Sequence, residues 1–90
     1  MPEINYDDLR AKLEAGNAWP QLYMFKFIVP SDNHKIALVE SLFDDDSEIK
    51  LQPSSQGKYT SLTVRIVMLN AEAIIDVYKK ASEIEGIISL

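Results

Sequence analysis

Ninety residues without cysteine are enough for one domain with an apolar core, and they rule out disulfides, thiolate nucleophiles and soft-metal centres together. The formal charge of −5 opposes non-specific attraction to phosphate backbones or anionic lipid, and no apolar run approaches a membrane span, so neither nucleic acid nor membrane is an expected partner. Residues 1–13 carry Glu3, Asp7 and Asp8 where a secretory signal needs a basic start and an apolar middle, and a cytoplasmic location is expected.

Residues 4–16 read as a short helix. Asn5 suits the N-cap, Asp7 and Asp8 lie in the first turn where the macrodipole favours anions, and Gly16 suits the C-terminal stop. Ile4 and Leu9 have the spacing of a hydrophobic staple, and Leu9 and Leu13, with Tyr6 and Ala11 nearby, give the helix an apolar side. Residues 1–18 are expected to form a helical appendage and 19–90 the main domain. In the connector at 17–20, Trp19 is held towards extended geometry by Pro20 and is expected to pin the appendage to the body.

Residues 21–29, QLYMFKFIV, predict a strand with Tyr23, Phe25, Phe27 and Val29 on one face and Leu22, Met24, Lys26 and Ile28 on the other. A strand apolar on both faces belongs in the middle of a sheet. Residues 31–43 predict a helix capped by Ser31 or Asp32, with Ile36, Val39, Leu42 and Phe43 at helical spacing. Asp44, Asp45 and Asp46 then break it, since acidic side chains oppose the macrodipole at a C-terminus.

Residues 47–52 alternate Glu48, Lys50 and Gln52 against Ile49 and Leu51, the pattern of a half-buried strand ending at Pro53. After a turn at 54–57, residues 58–69 form a second long strand. Leu62, Val64, Ile66 and Met68 face one way; Tyr59, Ser61, Thr63, Arg65 and Val67 face the other. Asn70 caps a helix to about Ser82, with Ile74, Val77, Tyr78 and Ala81 inward, and Gly86 ends the helical region before a final strand at 87–90.

Strand, helix, strand, strand, helix, strand, with right-handed crossovers and one hairpin, is an α+β, ferredoxin-like βαββαβ fold. It predicts an antiparallel sheet of order 4-1-3-2 with both helices on one face and an extra N-terminal helix. The open face then holds Leu22, Met24, Ile28 and Val67 among Lys26, Arg65, Lys50 and Glu48.

The run PSSQGKYTS at 53–61, followed by a strand, a capped helix and a short last strand, resembles the YbeD-like family of small bacterial domains of unknown function. WPQLYMFKFIVPS at 19–31 is similar to that family's first strand. The resemblance covers nearly the whole chain except the first helix. It implies a βαββαβ domain similar to the ACT-type regulatory domains of amino-acid enzymes, and some members are described as lipoic-acid-related regulators. The implied role is a non-catalytic regulatory or binding module, and no catalytic residue is transferred.

Ser54, Ser55, Gly57 and Lys58, with Gln56, fit either an anion-binding nest or a plain hairpin turn, and the plain turn is the simpler reading. A phosphate loop would open a helix, whereas this segment opens a strand. Asp44–Asp46 with Glu48 lack the alternation and glycine kink of a hard-cation loop and read as solvated, so no metal is expected. His34 is the only histidine, near a helix start on a polar side and without a paired nucleophile or ligand, and no catalytic residue or cofactor is expected. An RNA-binding sheet would need more aromatic residues on the open face than Tyr59, and an acylphosphatase-like enzyme would need an arginine in a glycine-rich loop where Val29, Pro30, Ser31 and Asp32 stand.

What remains is a small-molecule-responsive or protein-binding regulatory module, or a structural interaction domain that dimerises through its sheet. The open face at Leu22, Met24, Lys26, Ile28, Arg65 and Val67 is the expected interaction surface, with Lys26 and Arg65 as anchors for a carboxylate or an acidic partner. A monomer is favoured over a homodimer, with Leu9, Leu13 and Trp19 expected to cover part of that face.

Overall fold

The computed structural model describes residues 4–16, 18–44 and 46–90. Glu3, Asn17 and Asp45, assigned from sequence to the N-terminal segment, the connector and the acidic loop, lie outside the described residues. The elements run α1 (Tyr6–Glu14), β1 (Gln21–Pro30), α2 (Asn33–Glu40), β2 (Glu48–Pro53), β3 (Tyr59–Met68), α3 (Ala71–Ala81) and β4 (Ile88–Ser89). Side-chain caps start each helix. Asn5 accepts from the Asp8 N–H, Asp32 from the His34 N–H and Asn70 from the Ala73 N–H, each satisfying a first-turn donor that the helix itself leaves free.

The sheet order is β2-β3-β1-β4, which is the predicted 4-1-3-2 read from the other edge, and every pairing is antiparallel. The two central strands are those with apolar residues on both faces. Phe25, Phe27 and Val29 of β1 and Leu62 and Val64 of β3 are fully buried beneath the helices. Val39 of α2 and Ile74, Ile75 and Ala81 of α3 close over them. Phe25 is the hub of an aromatic cluster, with ring centroids 4.7 Å from Tyr23, 6.0 Å from Phe27 and 5.3 Å from both Phe43 and Tyr78.

The connection from α3 to β4 passes tightly over the end of β1. Gly86 sits at φ +81, and a Cβ there would meet the Pro30 ring at 3.0 Å, so the residue answers both a left-handed backbone and a close approach.

The position of α1 corrects the expectation that it covers the open sheet face. It lies against α3 on the helical side instead. Leu13 is buried in the same core cluster as the sheet residues, and Ile4, Tyr6, Leu9 and Trp19 pack against that cluster. The Arg10 guanidinium pairs with the Glu72 carboxylate on α3 and with Asp7 at 2.8 Å, and the Lys79 ammonium stands 5.4 Å from the centre of the Tyr6 ring. Glu72 and Lys79 thus line one flank of α3 and meet Arg10 and Tyr6 of α1. Leu22, Met24 and Val67 are accordingly left 56%, 58% and 58% exposed.

Candidate functional site

The strand register maps the open face row by row, since residues paired across an antiparallel sheet share a face. Gln52, Ser61, Ile28 and Ile88 form one row across all four strands. Lys50, Thr63 and Lys26 form the next, Glu48, Arg65 and Met24 the one after, and Val67 with Leu22 the last. Each step along a strand between rows is about 6.8 Å.

At the hairpin end, the first of these rows joins Pro53, Ser54 and Tyr59 to line an open groove of about 410 Å³. Its walls are mainly apolar, supplied by Ile28, Ile88, Pro53 and the Tyr59 ring. The polar groups are few and placed at one side: the Ser61 hydroxyl donates to the Gln52 carbonyl at 3.2 Å, and the Ser54 hydroxyl oxygen accepts from the Tyr59 N–H at 3.2 Å. Ser54 and Gln52 are among the residues lining the groove, and the Ser54 O–H is not used in that bond. A largely apolar pocket with a few convergent polar groups is the usual form of a small-molecule site.

The turn that closes the groove is held by its own backbone. The Gly57 N–H donates to the Ser54 carbonyl at 2.9 Å and the Ser54 N–H to the Tyr59 carbonyl at 2.7 Å, with Gly57 at φ +72 completing the reversal. Ser54, Ser55, Gly57 and Lys58 are therefore brought together and exposed, but the Ser54 and Gly57 N–H groups bond within the hairpin rather than outward. The hydroxyls of Ser31 and Thr60 lie 2.9 Å apart and tie the start of α2 to the base of the turn.

Lys26 and Arg65 share the open face with Leu22, Met24, Ile28 and Val67, and neither cation has a carboxylate partner among the described residues. Lys50 has only a long contact of 3.8 Å with Glu48, both exposed. His34 is exposed in the first turn of α2 and does not line the groove. Among the described residues no group of three or more His, Cys, Asp or Glu side chains could hold a metal ion. No helix among them is long and apolar enough to cross a membrane.

Sequence reasoning located the turn and the face but missed the groove as a unit. The signal for it was present in the pairing: once Ile28 is aligned with Ser61 and Ile88, the groove's floor follows.

A family model described as a protein of unknown function, DUF493, matches residues 14–90. The chain belongs to the DUF493 family. The UPF0250 protein of Shewanella halifaxensis (strain HAW-EB4) is 29% identical to this DUF493 chain over 83 residues, covering 88% of the chain and 94% of the relative. No solved structure matches the chain. The DUF493 match begins within α1 and takes in the whole βαββαβ unit, and the resemblance to the YbeD-like domains of unknown function agrees with it.

Proposed function

We propose that this DUF493 chain is a cytoplasmic, non-catalytic regulatory module that binds a small molecule with an apolar body in the groove between the β2–β3 hairpin and β4. The observation that carries this reading is the groove itself, about 410 Å³ and walled by Ile28, Ile88, Pro53 and Tyr59 beside the Ser54 turn. Lys26 and Lys50, one row away, favour a ligand with an anionic head. The ACT-like arrangement adds a rationale for regulation, because a ligand seated across four strands stiffens the sheet that it touches. Thermal shift against a panel of small carboxylates and amino acids tests it, since a ligand bound to the native state alone raises Tm with concentration. A hit that survives Tyr59→Ala and Ile88→Ala unchanged would place the ligand elsewhere and remove the groove from the proposal.

A second reading, a structural domain that dimerises through its sheet, is supported by the exposure of Leu22, Met24 and Val67. Sedimentation separates it from the first: a dimer that dissociates on Met24→Asp supports the sheet interface, and a monomer at all concentrations removes it.

A further inference from the structure

Strand β1 is used unequally by its two neighbours. β3 pairs with all of it, from Gln21 opposite Met68 to Pro30 opposite Tyr59, whereas β4 pairs only at Phe27 with Ser89 and Ile28 with Ile88. The Leu90 N–H donates to the Lys26 carbonyl at 2.9 Å, which sets the parity: even-numbered residues of β1 direct their backbone groups to the β4 side. On the β3 side, the Ser31 N–H donates to the Lys58 carbonyl at 2.9 Å, as odd parity requires. The N–H and C=O groups of Met24 and Leu22 therefore point to a side where no strand lies, and nothing else among the described residues bonds to them.

Unpaired strand edges recruit extended backbone, and proteins that do not use such an edge usually shield it with charge, proline or a covering element. Here the side chains next to the edge are apolar and exposed: Leu22 and Met24 themselves, with Val67 across on β3. Two unpaired cations flank Met24. Lys26 lies two positions along β1 on the same face, and Arg65 is the residue directly opposite on β3. Backbone donors and acceptors, an apolar strip and positive charge thus coincide at one edge.

We propose that the β1 edge at residues 21–25 binds an extended acidic segment of another protein, added to the sheet in line with β4, its apolar side chains over Leu22 and Met24 and its carboxylates meeting Lys26 and Arg65. A second copy is the weaker occupant, because it brings the same two cations to the edge where carboxylates would be complementary. This partner surface goes beyond the small-molecule groove and lies beside it, the two sharing Lys26 in the row between them.

Residue-resolved amide exchange on the full chain, free and with a short acetylated, amidated Glu-Thr-Glu-Thr-Val-Thr-Val peptide, which puts Glu and Val on one strand face, is the test. In the free protein the Leu22 and Met24 amides should exchange far faster than those of Tyr23 and Phe25, and the peptide should protect them. Met24→Pro removes a donor that β3 does not use, so it should weaken the peptide by about fivefold or more. Should that variant not fold, the peptide N-methylated on alternate amides gives the same readout on the unaltered protein and should fail to protect. Lys26→Ala combined with Arg65→Ala should weaken binding and flatten its salt dependence. Slow exchange at Leu22 and Met24 in the dilute free protein, no protection by the peptide, or equal protection by its counterpart with Lys in place of Glu would each overturn the proposal. Protection that rises with protein concentration alongside a dimeric mass would assign the edge to a second copy and overturn it as well.

Discussion

The hydroxyls of Tyr23 and Tyr78 meet at 3.0 Å, joining the first residues of β1 to the middle of α3 inside the aromatic cluster. Burial pushes the Tyr78 phenol well above its ordinary value, and the bond with Tyr23 adds to the shift. The neutral phenol is thus favoured in the folded state, while the unfolded chain ionises near the ordinary value of about 10. The contribution to stability is complete below that pH and falls away as pH rises towards the folded value. Tyr78→Phe should lower stability by about 1 kcal/mol at neutral pH through the lost hydrogen bond, and flatten the decline above pH 10. Denaturation in urea from neutral to alkaline pH measures both; parallel curves for the two proteins would contradict the assignment.

Gly57 supplies the left-handed conformation that closes the β2–β3 hairpin, at φ +72, and a Cβ built there has nothing within 4 Å. The cost of a side chain is therefore backbone strain without any clash. Gly57→Val should lose about 1–3 kcal/mol and Gln56→Ala should be near neutral. Equal Tm for Gly57→Val and the parent chain would refute the turn's role.

Phe25 is fully buried and packs against four other aromatic rings from β1, α3 and the turn after α2. Its truncation opens a cavity that three elements would have to collapse together to fill. Phe25→Ala should cost about 3–5 kcal/mol in chemical denaturation. Met24→Ala, one residue away on the exposed face, should cost little, and a reversal of that order would mean the strand faces are inverted.

Periodicity makes the sheet legible in the sequence. The two-faced apolar runs at 21–29 and 58–69 name the central strands, and Asn5, Asp32 and Asn70 mark the helix starts where the structure puts them. Less legible was where α1 packs, because Leu9 and Leu13 give it an apolar side that suits either the open face or the flank of α3. Only the three-dimensional position of Glu72 and Lys79 decides between them. Ile75 escaped for a related reason: α3 buries a wider stripe than a single-sided helix would, since α1 covers the side that solvent would otherwise reach. The groove and the open edge were hidden in the strand pairing. The edge depends on β4 pairing with β1 at only two residues and the groove on which residues of four strands align in one row, and both are set by tertiary pairing that local pattern does not encode.

The pairing of Arg10 with Glu72 holds that carboxyl below its ordinary value, mainly through the hydrogen bond from the guanidinium. Such a group contributes stability above the ordinary carboxylate range and loses it as pH falls through its lowered folded value. Both side chains are substantially exposed, so solvent and salt screen the pair and its effect is small. Glu72→Gln should lower Tm slightly at neutral pH and low salt, and the difference should shrink on acidification or on adding salt. A large difference that is indifferent to salt would show that Glu72 acts other than through Arg10.

Leu13 is the one residue of α1 that is buried in the core, and with Tyr6 and Leu9 it anchors the helix against the flank of α3. Nine residues are too few for a helix to persist in water on its own propensity, so α1 depends on that contact. Leu13→Ala should cost about 2–4 kcal/mol, with the loss concentrated in α1: its amides should exchange faster, while those of β1 and β3 keep their protection at temperatures well below Tm. The mass in solution should stay unchanged, because the open face of the sheet is uncovered whether or not α1 is docked. Self-association appearing only in Leu13→Ala would show that α1 shields an adhesive surface after all, and would return the helix to the covering role that its contacts with α3 now deny it.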